Sequence, residues 1–451
     1  MKEQDKFILD IKRLGINGEG IGFYKKLAVF VEDAIPGEGH NVCITKVLNH
    51  MAFAETFEIK HSSPDRIEPV CPHYKKCGGC NVSHIKYNKM LEFKRDSILE
   101  SLKRYTNINP RSFEIKPTIR SAEIYNYRNR SLVSVVKGEN CYKTCFVNPK
   151  TNDLVDIDEC CLQHPIINEL NKKIVKLAYD MNVSLYIHKF NRGILRYISI
   201  RLNEKNQAIV CLVCGEKNSK IRLLAKEIIK LDNVYAVYEN FNTSRKENVH
   251  FTDDMNLLEG KDDLLFEVNN LKIKLDPTTY LPFNTNQIPE LYENILKACK
   301  LSKKENVLVP HSKNGIIALY LSRLAKQVYG IEYNKNAIFL AEENLSINKI
   351  NNVKFLQGDV KQLLDKVIKE KEIDVVVLEH SKTSIDEEIQ ILLESGVKKI
   401  ILYGTANTSL AKNMNDLTKK YSINMIVPID MAPQTISVDI ISVCTKIVEK
   451  E

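Results

Sequence analysis

NVLVPHSKNGIIALYLS, residues 306–322, reads as a buried strand, a short loop and the opening of a helix. NVLVP is a short apolar run of strand length, and IIALYLS continues as a helical stretch. In an α/β nucleotide-binding domain this loop is ordinarily glycine-rich, because the ligand must lie against bare backbone. Here His311, Ser312, Lys313 and Asn314 precede a single Gly315. Downstream, QVYGIE, NVKFLQGD, DVVVLE and KKIILYG recur between helical stretches. Strands alternating with helices in this way imply βαβ units and a parallel sheet.

Working outward from that block, residues 269–451 are expected to form a Rossmann-like domain. Residues 1–60 show short alternating strands (FILDIKRLG, LAVFVEDAI, NVCITKVL) broken by GEGIG and IPGEG, the pattern of a small antiparallel barrel of OB type. Residues 61–268 begin at the proline-rich SSPDRIEPVCPHY and become strand-rich from about 118. Between them, residues 85–105 space their apolar positions as an amphipathic helix, with Lys89, Lys94, Arg95 and Lys103 expected on its solvated face. The fold class is therefore multidomain α/β: an N-terminal OB-like β-barrel, a central α+β domain, and a C-terminal Rossmann-like domain.

The bulk numbers narrow the function classes. A chain of 451 residues is long for a single core. No apolar run approaches the roughly 20 residues of a bilayer span, and MKEQDKFILDIKRLG lacks the layout of a secretion signal. A cytoplasmic, non-membrane protein is expected. The net charge of +8 suits a polyanionic partner.

Twelve cysteines without a signal peptide point to metal binding or buried thiols rather than disulfides. CPHYKKCGGC sets Cys71, Cys77 and Cys80 within ten residues, with two glycines that let the backbone wrap a bulky group. Thiolates so spaced can hold zinc or an iron–sulfur cluster, and either wants a fourth ligand. DIDECCLQHP offers Cys160 and Cys161. Cys141, Cys145, Cys211 and Cys214 lie in or near strands and read as core rather than ligands.

CPHYKKCGGCNVSHIKYNKMLEFK resembles the C-x5-CGGC-x-x-QH-x-x-Y block of the iron–sulfur uracil-C5 RNA methyltransferases. The likeness continues through YNYRNRSLVSV, VDIDECCLQHP, GILRYISIRL and YLPFNTNQ to DMAPQTISVDIISV, and so covers nearly the whole chain. LGINGEGIGFYKKLAVFVEDAIPGE is similar to a TRAM domain, an RNA-binding barrel. The resemblance, which is to the 23S rRNA type, implies an iron–sulfur character for the central domain. Cys71, Cys77, Cys80 and Cys160 would ligate a [4Fe-4S] cluster, and S-adenosylmethionine would be the methyl donor. It also implies RNA contact by Tyr125, Tyr127, Arg128, Asn129 and Arg130.

The family's chemistry adds a cysteine thiolate to uracil C6, methylates C5, and removes the C5 proton with a carboxylate. Several positions depart from that pattern. Against the family's Y-V-S-C-N-P-x-T-L-A-R-D, this chain reads LYGTANTSLAKN, which puts Thr405 at the nucleophile position. Asp439 stands at the base position, one methylene shorter than the family's glutamate. The DPPRKG turn becomes EHSKTS, giving Glu379, His380, Ser381 and Lys382 without the prolines. Against the family's D-x-Y-C-G-x-G cofactor loop, this chain has Val309, His311, Ser312, Lys313, Asn314 and Gly315, and Lys313 brings a cation towards a cofactor that is itself cationic. FNTN supplies Asn284 for the family's glutamine.

Glu332 and Asp359 are retained at the ends of the second and third strands, for ribose and adenine by analogy. His311 and His380 are expected to face solvent. The reading is an RNA-binding family member whose catalytic motifs are degenerate. It would be monomeric, with structured RNA as partner, ribosomal before transfer RNA. The alternative is an active S-adenosylmethionine-dependent uracil-C5 methyltransferase of 23S rRNA or tRNA with a divergent site.

Overall fold

The computed structural model describes residues 1–149, 151–246, 249–380 and 385–447. The chain divides into two compact units, Met1–Ser121 with Val375–Glu451, and Ala122–Asp374.

The first unit opens with a closed barrel of five strands: Lys6–Leu14, Gly20–Tyr24, Leu27–Val31, Gly39–Leu48 and Met51–His61. The alternation seen in the sequence points Leu9, Ile11, Val29, Val31, Val42, Ile44, Ala52 and Ala54 into the barrel. The next segment is tied back to the barrel by charge. Glu38, fully buried, accepts from Arg66 Nε and Nη2 (both 2.7 Å) and from the backbone amides of Ile35 and Ser63, and pairs with His40 at 2.9 Å. Burial works against its ionisation, but Arg66 and His40 outweigh it and hold the carboxyl well below its ordinary range.

The helix Tyr87–Tyr105 buries Met90, Phe93, Lys94, Ile98 and Leu102, a single stripe in which Met90, Lys94, Ile98 and Leu102 recur every four residues with Phe93 alongside. Lys94 is thus on the buried stripe, which corrects the expectation of a solvated face. Its position, four residues from both Met90 and Ile98, places it there. Further on, Val375–His380 runs parallel to Lys399–Thr405. The latter pairs antiparallel with Asp439–Lys446, which pairs antiparallel with Tyr421–Ile429.

The second unit carries a seven-stranded sheet in the order Met255–Gly260, Val234–Phe241, Ala208–Cys214, Leu195–Leu202, Arg130–Lys137, Tyr142–Val147, Leu154–Asp156. Every residue of Leu195–Leu202 and Ala208–Cys214 is buried; AIVCLVC is a continuous apolar run, whereas LRYISIRL also buries Arg196, Ser199 and Arg201. The helices Pro165–Asp180 and Ser219–Ile228 supply much of the core against them. Cys145, Cys211 and Cys214 are buried and Cys141 is exposed. Three parallel strands follow, with Gln327–Glu332 between Asn306–Pro310 and Val353–Gln357. Among the described residues no helix is long and apolar enough to cross a membrane.

Candidate active site

In the first unit the antiparallel register sets Thr405, the last residue of its strand, opposite Asp439, the first of its own. The Thr405 hydroxyl donates to Asp439 Oδ1 at 2.7 Å. Burial first, and then the charge of Glu379, push the Asp439 carboxyl up to about 6, against the Thr405 hydrogen bond and the charge of Lys94. Glu379, paired in register with Tyr403 on the neighbouring strand, accepts from the Tyr403 hydroxyl at 2.5 Å. The nucleophile-position hydroxyl, the base-position carboxyl and the first residue of EHSKTS therefore share one neighbourhood. Ser381 and Lys382 of that motif lie outside the described residues.

Behind Asp439 lies a group that the sequence reading missed. Lys94 Nζ donates to Asp430 Oδ1 at 2.5 Å and to the Ala432 carbonyl at 3.0 Å, and both side chains of the pair are fully buried. Tyr87 donates its hydroxyl to Asp430 Oδ2 at 2.9 Å and accepts from the Ser121 amide at 2.7 Å. Burial lowers the Lys94 pKa even with Asp430 and Asp439 nearby. The signal in the sequence was a lysine on the apolar stripe of its helix.

His380 is buried, contrary to its expected exposure, and that burial lowers its pKa, so the imidazole is neutral near pH 7. Cys444 follows five residues after Asp439, about 17 Å along an extended strand. It is fully buried, and its thiol is pushed up to about 12. It offers no thiolate to the site.

The second unit holds the loop after Asn306–Pro310. Three of its residues have left-handed backbones, His311 (φ 54°), Lys313 (φ 52°) and Gly315 (φ 80°). For the two non-glycine residues this costs energy. At Gly315 a Cβ would come within 2.6 Å of the Phe355 ring, so the single glycine is held by packing. Lys313 Nζ sits 3.3 Å from the centre of the Tyr280 ring, a close cation–π contact. Glu332 braces the loop: its two oxygens accept from the amides of Lys313 (2.9 Å) and Asn334 (2.8 Å).

Asp359 caps the helix Val360–Glu370 through the Lys361 amide at 2.8 Å. Asn284 is fully buried and bridges the Arg128 backbone. Ser312 Oγ and Asn314 Nδ2 are buried without a partner among the described residues, polar atoms that a nucleoside ligand could satisfy.

The YNYRN residues do two jobs. Asn129 Nδ2 donates to the Pro282 carbonyl and Arg130 Nη1 to that of Leu281, while Arg128 lies 5.1 Å over the Phe283 ring. They pin the LPFN segment. Around them is a cavity of about 430 Å³ whose lining includes Tyr125, Asn126, Arg128, His164, Asn206 and Asn286.

Cys71, Cys77 and Cys80 are half-buried, and a left-handed Gly78 ends the short turn Tyr74–Cys77 between them. Cys160, in the second unit, is also half-buried, its backbone tied to the Asn168 side chain. None of the twelve cysteines is in a disulfide. Among the described residues no three His, Cys, Asp or Glu side chains are gathered as a metal ion would require. As folded, the thiol loop is not a formed ligand cage.

A sequence-family model described as a methyltransferase domain matches residues 313–443. An uncharacterized RNA methyltransferase of Halalkalibacterium halodurans is 32% identical over 97% of this chain and 96% of its own length. One of Listeria innocua is 32% identical over 98% of each chain. In structure, the tRNA (uracil-54, C5)-methyltransferase of Pyrococcus abyssi in complex with S-adenosyl-L-homocysteine superposes with a TM-score of 0.76, covering 97% of this chain and 99% of that one at 22% identity. That likeness speaks for the fold alone. With curated relatives matched along almost its whole length, the chain belongs to the RNA methyltransferase family.

Proposed function

We propose that this protein is a structured-RNA-binding member of the family that has lost efficient uracil-C5 methyl transfer. The observation that carries the reading is Thr405 donating to Asp439. An aliphatic hydroxyl ionises only far above the range of a thiol, close to where water does. Taking its proton with a carboxyl held near 6 therefore costs on the order of 10 kcal/mol or more. A cysteine there, at about 8.5, would need only about 3 kcal/mol. The strained, lysine-bearing loop at 311–315 points the same way.

S-adenosylmethionine, when bound, supplies a transferable methyl group. On the family pattern, Asn284, His311, Gly315, Glu332, Asp359 and Glu379 would contact it. The TRAM character of the barrel, a monomeric state, a cytoplasmic location and a preference for ribosomal over transfer RNA belong to the same proposal. So does the [4Fe-4S] cluster on Cys71, Cys77, Cys80 and Cys160, which rests on the family resemblance of the CGGC block. Iron and sulfide counted on protein purified without oxygen test it: four of each per chain are expected, and none would remove the cluster from the account.

The second reading, an active methyltransferase of 23S rRNA or tRNA, is favoured by one observation, the retained carboxyl at the base position with a pKa near neutrality. Methyl-labelled S-adenosylmethionine and RNA from cells lacking the gene separate the two. RNA binding without label is expected; label at uracil C5 would establish the second reading.

A further inference from the structure

The second unit contains a buried cation that the site above does not use. The ladder between Leu195–Leu202 and Ala208–Cys214 shifts register between Leu195 and Tyr197, which frees Arg196 from the regular alternation. Its guanidinium lies between two rings, 4.8 Å from the centre of Tyr186 and 5.2 Å from that of Tyr197. Tyr186 can lie there because its ring rests on a glycine: a Cβ at Gly215 would be 2.3 Å from Tyr186 Cδ2.

Arg196 is 3% exposed. One nitrogen, Nη1, donates to the Asn242 carbonyl (3.1 Å), Asn242 Oδ1 (3.2 Å) and the Ser244 carbonyl (2.8 Å). Nε and Nη2 are buried and have no partner among the described residues. Their hydrogens lie along one edge of the guanidinium, the fork that matches two oxygens of a phosphate.

A structural pin explains half of this. Three neutral acceptors and two ring faces would hold an arginine in place. They do not explain a buried cation with no carboxylate against it among the described residues, nor a two-donor edge left without an acceptor. Both are costs of the fold that an anionic oxygen would remove. The rim of the box adds a second kind of surface. His188 stands edge-on to Tyr186 at 4.9 Å and His250 edge-on to Tyr197 at 5.9 Å, both exposed. Phe190 is 63% exposed, with Lys189 Nζ 5.7 Å over its ring.

We infer that this box is a nucleotide subsite for single-stranded RNA. The Nε–Nη2 edge of Arg196 takes a phosphate, and the exposed rings of His188, Phe190 and His250 take the adjoining base by stacking. The inference rests on the RNA-binding reading above and adds a second contact region, set on the bulged strand and the loop before it.

The test is binding of a dye-labelled oligouridine of about a dozen nucleotides to the full chain. The double variant His188→Ala/Phe190→Ala changes only exposed rings, so its melting temperature should match the parent while its affinity falls roughly tenfold. Arg196→Lys keeps the charge without the fork and should lose at least about fivefold, and Arg196→Gln should also flatten the salt dependence by about one phosphate contact. Parental affinity in the exposed-ring variant and in Arg196→Lys overturns the inference and leaves RNA binding standing. A parent that does not bind the oligouridine overturns both. Competition by inorganic phosphate that is insensitive to His188 and Phe190 would reduce the box to a phosphate site and overturn the RNA assignment.

Discussion

Replacing Asp439 by Asn tests the electrostatics of the candidate site without changing its shape, since the amide oxygen can still accept from Thr405. The folded carboxyl sits near 6 against an ordinary 3.8, a rise of roughly 2 units, so the ceiling on the effect is about 3 kcal/mol. A raised acid pKa means that the folded state holds a proton which the unfolded chain has released between about pH 4 and pH 6. Stability contributed by this group therefore falls as pH rises through that window. Asn carries no such penalty. The variant should match the parent near pH 4 and become the more stable of the two above pH 6. Because Asp439 is partly exposed, the plateau should reach about 1–2 kcal/mol rather than the ceiling. Urea midpoints of the two proteins from pH 4.5 to 8 measure it. A stability difference that stays flat with pH, or an Asn variant less stable at pH 8, would refute the assignment of a raised pKa.

Three further outcomes follow from the same unit. Glu38→Gln removes a buried carboxylate from Arg66 and His40 and should destabilise the barrel by about 3–5 kcal/mol at pH 7. Its folded pKa is lowered, so the loss should shrink as pH falls below about 4.5, where the unfolded carboxyl protonates, as read by thermal melts across that range. Lys94→Met strands Asp430 as a buried charge and should cost about 3–5 kcal/mol, while the double change with Asp430→Leu should recover most of it in urea titrations. Thr405→Cys should create a thiol whose pKa exceeds its ordinary value, beside an acid held near 6, and any uracil-C5 label it gains over the parent reads out the missing nucleophile.

Much of the architecture could be read from periodicity. The barrel strands alternate, the 87–105 helix keeps its apolar stripe, and the parallel strands fall where NVLVP, QVYGIE and NVKFLQ stand. The pairing of Thr405 with Asp439 was not visible, because 34 residues separate them and only antiparallel register brings them together. Lys94 was misread through its residue type: lysine is usually solvated, and the stripe position that overrides this rule is satisfied only by an aspartate 336 residues away. His380 misled in a similar way, since burial follows from the strand end and not from its polarity. The unpaired edge of Arg196 depends on a bulge, which pattern alone does not reveal.

The central claim, that the scaffold binds RNA without efficient methyl transfer, is tested most directly by one labelling experiment on the parent and Thr405→Ala. Both proteins, purified without oxygen, are given methyl-labelled S-adenosylmethionine and RNA lacking the modification, and the label on uracil C5 is counted. The account predicts no label above background from either protein, with RNA retained by both. Label from the parent that disappears in Thr405→Ala would contradict it and make Thr405 a working catalytic residue.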